Sequence, residues 1–148
     1  MDPFPVGDIR LPHHVYPPRR LTPDELHKKT AANVWQVDIN NAVQLSKRVT
    51  TLKLERHFKR EDLFILDEKT AANFFEKLET FFEESKLKNE EAKLILEGEA
   101  YYDIEEDKWV RVLCEPGDLL TIPANVSFRF TTTPKNFVKM KRYFKDQQ

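Results

Sequence analysis

Glycine is scarce, with three in 148 residues. Loops that cradle phosphate need several glycines at fixed spacing, so nucleotide sites of that kind are excluded. Cysteine is reduced to Cys114. A lone thiol permits no intrachain disulfide and no Cys-x-x-Cys pair, which points to a reducing compartment. Set in an apolar run, Cys114 reads as core. No apolar stretch reaches the roughly eighteen residues of a membrane helix, and the N-terminus lacks the apolar centre of a signal peptide. Neither sign of charge dominates: 24 Lys and Arg stand against 25 Asp and Glu. Nucleic-acid binders carry a basic excess, so the basic runs Arg56–Arg60 and Lys139–Arg142 read as solvated faces. Histidine is confined to His13, His14, His27 and His57. The adjacent pair points opposite ways in extended chain, and no two of the four have metal-ligand spacing. These absences describe a cytoplasmic protein, with nuclear access open, that contacts neither nucleic acid nor membrane directly.

What is present is a core. Hydrophobic residues make up 40% of the chain and include eleven Phe. The length suits one domain. Residues 1–20 hold five of the nine prolines and read as an extended N-terminal arm. The arm's Phe4, Val15 and Tyr16 could dock on a partner or on the chain's own domain, which runs from 21 to 148. Thr22-Pro23-Asp24-Glu25 reads as a helix start, with Thr22 capping, Pro23 in the first turn and Glu25 closing a capping box. That helix ends near Thr30, and Asn33 to Ile39 reads as a strand. Residues 40–60 are charged and weakly patterned. After the short run Leu63–Leu66, Phe74, Leu78, Phe81 and Phe82 recur at helical spacing between Asp67 and Ser85, a stripe expected to be core.

From residue 90 the pattern becomes successive strands: 93–96, 100–104, 108–115, 119–122, 126–133 and 137–144. Glu105-Glu106-Asp107 forms a hairpin loop. Pro116-Gly117-Asp118 is a turn, in which proline fixes one dihedral and glycine permits positive φ. Short strands at this spacing predict a mostly β domain with flanking helices, arranged as a sandwich or barrel.

Several stretches carry a resemblance, in order and at matching spacing. They are Phe81-Phe82-Glu83-Glu84, Leu94-Ile95-Leu96-Glu97-Gly98, Tyr101-Tyr102-Asp103, Asp107-Lys108-Trp109, Pro116-Gly117-Asp118-Leu119, Ile122-Pro123-Ala124, Asn136–Lys139 and Arg142-Tyr143-Phe144. Together they resemble the acireductone dioxygenases, iron or nickel enzymes of methionine salvage within the cupins. The resemblance reaches back more weakly to Leu21–Asp38. It implies a cupin-type double-stranded β-helix, or jelly-roll, barrel. Cupins carry two metal motifs on facing strands. The first is His-x-His-x-x-x-Glu followed by a glycine. The second is a glycine, five residues, a proline, and then a histidine. A redox metal needs three or four N or O donors converging in the barrel, and residues two apart on a strand deliver them to one side.

In this chain the spacings survive and the donors do not. The two histidine positions of the first motif fall on Ser85 and Leu87, and the glutamate falls on Glu91 with Gly98 after it. In the second motif Gly117 and Pro123 hold their places, the histidine position is Phe128, and a usual glycine is Asn125. Leucine and phenylalanine offer a metal nothing, and a serine hydroxyl is a poor ligand for Fe²⁺ or Ni²⁺. Neither metal nor catalytic residue is therefore expected. Val126, Phe128 and Phe130 share a strand face and are expected to plug the interior where the metal and substrate would sit. In the family an arginine matching Arg142 helps to hold the anionic substrate, and Lys93 matches a second basic position. Glu91, Lys93 and Arg142 are thus a remnant anion site or an ion pair. The family also continues past the last strand, whereas this chain ends at Gln148 with a shorter Glu105 hairpin, leaving less cover over the site.

The functional expectation is a pseudoenzyme: a cupin serving as a protein-interaction module or complex subunit, through the arm, the 40–60 stretch or a bare strand edge. A hetero-oligomer with a catalytically competent acireductone dioxygenase is one form this could take. The alternative is residual or atypical metal-dependent activity, or a small-ligand-binding cupin. With Arg142 expected to pair with Glu91, Arg142→Leu should cost several kcal/mol by stranding a buried carboxylate, read as a fall in melting temperature.

Overall fold

The computed structural model describes residues 9–10, 22–105 and 108–145. The expected mostly β class is found, with strands in two antiparallel sheets. Helix α1 (Pro23–Thr30) begins as its sequence predicts: the Thr22 side chain accepts from Glu25 N–H, and the Glu25 carboxylate accepts from Thr22 N–H. Strand β1 (Asn33–Gln36) follows, then α2 (Ala42–Arg56), β2 (Arg60–Asp67), α3 (Phe74–Phe81) and β3 (Ser85–Lys86). The remaining strands are β4 (Glu91–Gly98), β5 (Ala100–Glu105), β6 (Trp109–Cys114), β7 (Asp118–Ile122), β8 (Ser127–Thr132) and β9 (Phe137–Phe144). One sheet runs β1-β7-β4-β9-β2 and the other β3-β8-β5-β6.

The helix α2 corrects the sequence reading of 40–60. Asn41 caps it by accepting from Gln44 N–H at 3.1 Å. Leu45, Val49 and Leu52 face the five-stranded sheet, where they join Leu94, Leu119 and Tyr143 in a second core. The pattern was weak because Val43 and Leu54 of the same helix are 65% and 73% exposed, which blurs the apolar stripe. With α2 on its outer face, the sheet is covered on both sides. This is why β4 is buried along a continuous run from Ala92 to Ile95.

The main core lies between the sheets. Ile95, Leu120, Val138 and Met140 of one sheet meet Ala100, Tyr102, Ile104 and Phe130 of the other. The α3 stripe divides: Phe74 and Leu78 are buried, while Phe81 ends the helix 37% exposed. The turns behave as their residues predict. Gly117 sits at φ +94, and Asn125, in place of a usual glycine, takes φ 66. Asparagine tolerates this region better than most residues, so the turn geometry survives the substitution.

Gly98 sits at φ +75, and a Cβ there would lie 2.1 Å from the Phe137 carbonyl oxygen. The Glu99 N–H donates to that same carbonyl, so backbone on both sides is fixed. Gly98→Ala is expected to cost about 2–3 kcal/mol by combining strain with a main-chain clash. Urea unfolding of the two proteins measures this.

Candidate functional site

Three of the degenerate metal positions come together. Ser85 on β3 lies directly opposite Phe128 on β8 in the ladder. Ser85, Phe128 and Glu91 line one cavity of about 250 Å³, partly open to solvent, with Lys93 and Arg142 also on its wall. Leu87 is the exception. It is half-buried against the main core and is not part of that lining, while its carbonyl accepts from Asn125 N–H at 2.9 Å. The His27 and His57 side chains are exposed, and among the described residues no histidine lines the cavity. His13, His14, Phe4, Val15 and Tyr16 lie outside the described residues.

The charged groups pair differently from the expectation. Glu91 and Lys93 lie two apart on β4 and so share its inner side, where Lys93 Nζ donates to Glu91 Oε1 at 2.6 Å. Arg142 on β9 is opposite Asp62 on β2, and it donates through Nε and Nη2 to both carboxylate oxygens at 2.8 and 2.7 Å. The anticipated Glu91–Arg142 pair is therefore replaced by two separate ones. The physical reason is register. The edge strand β2 supplies Asp62, a partner in planar, bidentate range that no motif foretold.

The two pairs differ in environment. The Lys93 side chain keeps 7% of its surface in water and Glu91 keeps 17%, against 30% and 38% for Arg142 and Asp62. Burial pulls the Lys93 ammonium below the usual lysine range, and the Glu91 carboxylate opposes that pull. The hydrogen bonds from Arg142 hold Asp62 below the usual carboxylate range despite partial burial. Asp62 in turn raises Arg142.

The interior is not plugged as expected. Phe128 is half-buried and a cavity remains beside it. The rings pack on one another instead of filling the space. Phe81 meets Phe64 at 5.6 Å and Phe130 at 5.5 Å, both edge to face, and Phe130 tilts against Tyr102 at 5.0 Å. Rings from α3 and the four-stranded sheet thus line one side, and the five-stranded sheet faces them with Phe64, Glu91, Lys93 and Arg142. The Tyr102 hydroxyl rests 3.4 Å from Met140 Sδ, and burial drives its ionisation well above the usual tyrosine range.

This donor set does not fit a transition metal. Phe128 and Leu87 offer no lone pair for it, and Ser85 offers a neutral hydroxyl. The carboxylate of Glu91 is already neutralised by an ammonium at contact distance. Among the described residues no three His, Cys, Asp or Glu side chains converge as a metal group.

Sequence reasoning missed a second charged cluster on the outer face of the four-stranded sheet. Asp103, 1% exposed, accepts from Arg111 at 2.7 and 3.0 Å and faces Arg129 Nη2 at 3.5 Å. The Arg129 guanidinium lies over the Trp109 and Phe82 rings. Counting across the β5–β6 hairpin would have found the first pair, because Asp103 and Arg111 are direct partners in the ladder. Arg111 Nη1 also donates to the Ile9 carbonyl at 2.7 Å, and Arg10 bonds to Asn136 and lies over the Phe75 ring. At Ile9 and Arg10, then, the arm is pinned to its own domain.

All 148 residues match the model of the ARD/ARD′ family. The chain is 57% identical over 149 residues to a Caenorhabditis elegans protein named probable inactive acireductone dioxygenase 2, covering 99% of this chain and 94% of that one. It is 37% identical over 139 residues to the Drosophila melanogaster acireductone dioxygenase, covering 93% of this chain and 74% of that one. Among solved structures, acireductone dioxygenase from Bacillus anthracis with a cadmium ion in its active centre superposes with a TM-score of 0.71 at 21% identity, covering 82% of each chain. That last likeness supports the fold.

Substitutions at Lys93, Glu91 and Asp62 test the ion pairs. Lys93→Met alone should cost about 3 kcal/mol, because Glu91 is left without its partner, whereas Lys93→Met with Glu91→Leu should recover most of the loss. Chemical denaturation of both variants decides this, and equal losses would contradict it. For Asp62, the folded carboxyl titrates below its unfolded value of about 3.9. Its contribution is therefore complete above that value and fades as pH falls through the lowered folded one. Asp62→Asn should lower stability at pH 7 by about 0.5–1 kcal/mol, a modest figure because water screens the pair. The difference from the parent should shrink below about pH 4, as followed by melting temperature against pH.

Proposed function

The chain belongs to the acireductone dioxygenase family, and from that premise we propose that it is a catalytically inactive member, kept as a cupin that binds other proteins. One observation carries the inactivity: the only carboxylate left at the metal positions holds the Lys93 ammonium, and its former co-ligand positions are Ser85, Leu87 and Phe128. The family's iron or nickel would have to displace that ammonium and then find its remaining donors among a hydroxyl and water. Losing a group that merely orients a metal ligand costs such sites about 10–100-fold, and here the ligands themselves are gone. The names of its Caenorhabditis relatives, probable inactive acireductone dioxygenases 1 and 2, agree with this reading.

The protein-binding role follows from what remains once chemistry is removed. The fold is intact and both cores are well formed. Large apolar side chains stand exposed on α2, α3 and β2. A competent acireductone dioxygenase is one candidate partner, in a hetero-oligomer. No helix among the described residues is long and apolar enough to cross a membrane.

A second reading has its own observation. The 250 Å³ cavity persists, lined by rings from α3 and both sheets and by Glu91, Lys93 and Arg142 of the five-stranded sheet. A small organic ligand without a metal would find apolar contact and hydrogen-bond donors there.

The test is elemental analysis of protein purified with iron and nickel supplied, paired with an acireductone turnover assay. We expect far less than one metal per chain and no turnover above background. Stoichiometric iron or nickel with turnover would overturn the proposal. Affinity purification at endogenous level tests the other half. We expect a reproducible partner, and its repeated absence would count against the binding role.

A further inference from the structure

The five-stranded sheet stops at β2, and that edge is unusual in what it shows to water. Leu63 and Ile65 on its outer face are 50% and 51% exposed. A long, apolar, uncovered edge is a template for another strand, and proteins ordinarily blunt such edges with charge, proline or a bulge. Here β2 pairs with β9 in unbroken register from Arg60 to Asp67.

The ladder also fixes which main-chain groups are left over. The Glu68 N–H donates to the Asn136 carbonyl at 3.1 Å, extending the β2–β9 register by one residue. Even-numbered residues of β2 therefore aim their N–H and C=O at β9. Odd-numbered Glu61, Leu63 and Ile65 aim theirs outward, away from the sheet.

We propose that this edge is the contact between two copies of the chain, which pair β2 against β2 antiparallel about a two-fold axis at Leu63. This deepens the protein-binding reading, on which it rests, by naming the surface and its first partner. The geometry selects the register. An axis normal to the sheet keeps both cores on one side, so facing residues must share a strand face, and the axis passes between one residue and its own copy. Centred on Leu63, the pairing sets Leu63 against Leu63 of the other copy and Ile65 against its Glu61. At each end it sets Lys59 against the other copy's Asp67. Centred on Phe64, it would set Glu61 against Asp67, and centred on Ile65, Asp62 against Glu68. Both of those registers oppose like charges, which the Leu63 register avoids. Its central hydrogen-bonded pairs, Leu63 with Leu63 and Glu61 with Ile65, use main-chain groups that the β2–β9 ladder leaves over. At the ends the Lys59 N–H already donates to the Phe144 carbonyl and the Asp67 carbonyl accepts from Thr70 and Ala71, so Lys59 and Asp67 meet through their side chains.

The charges around the patch suit this contact. Glu61, which would lie beside an isoleucine, is already held by Lys53 at 2.7 Å and Lys141 at 2.8 Å. Those lysines keep it ionised below the usual carboxylate range, so the dimer introduces no unpaired charge there. Lys59 is exposed and Asp67 is half-buried at the opposite end of the strand.

Sedimentation equilibrium of the full chain over a range of concentrations reads the dimer. We expect a concentration-dependent dimer whose dissociation constant rises at least about tenfold in Leu63→Lys, with the circular dichroism and melting temperature of the parent retained. Lys59→Asp and Asp67→Lys should each weaken the dimer, since each sets like charges together at both ends. Mixed one to one, those two variants should form a heterodimer with both end pairs restored. A monomer at every concentration, a dimer indifferent to Leu63→Lys, or a mixture that fails to pair would each overturn the proposal. A monomer that still captures a partner from cell extract would leave the broader protein-binding reading standing.

Discussion

One ammonium organises the charged side of the cavity. Lys93 sits with its charge almost out of water, on the same strand side as the carboxylate that a metal would need. An ion so poorly solvated must be paired, and Glu91 is the group in reach. The carboxylate is thereby committed to a structural task. Had Ser85 and Phe128 been histidines, a cation entering the cavity would still compete with a covalently tethered one. With Ser85, Leu87 and Phe128 at the other motif positions, Glu91 has Lys93 as its partner and the site holds itself together.

The chain spelled out its strands more openly than its polar partnerships. Strand boundaries from residue 91 onward were legible because alternating residues, the Pro116-Gly117 turn and the glycine at 98 each have a local cause. The Thr22–Glu25 cap was legible for the same reason. The helix α2 was not, since its apolar stripe is mixed with exposed Val43 and Leu54 and its burial depends on a sheet formed later in the chain. At the site, the degenerate positions could be read by spacing, and the structure brings Ser85, Glu91 and Phe128 to one cavity. The pairing of Arg142 with Asp62 could not, because the two are 80 residues apart and joined only by the β2–β9 ladder. The cavity beside Phe128 was also hidden. Sequence gives the bulk of a side chain, but only its neighbours decide whether rings fill a space or lean on one another around it.

The two sheets have been put to different uses. The four-stranded sheet carries buried charge on its outer face, where Arg111 and Arg129 flank Asp103 and the arm is fastened at Ile9 and Arg10. The five-stranded sheet is sealed by α2 over its centre and, among the described residues, is left open at the β2 margin. A surface that is fastened at one side and bare at the other is polarised.

The irregularity in β4 has its own consequence. Between Ile95 and Glu97 its pairing with β9 slips by one residue. The slip separates the strand into two reading frames. Toward Gly98 the frame answers to the tight approach of the Phe137 backbone, and toward Glu91 it answers to the cavity. Ancestral substitutions at the cavity end could therefore accumulate without disturbing the hairpin. A lineage could retire a reaction centre one side chain at a time while its scaffold went on folding unchanged.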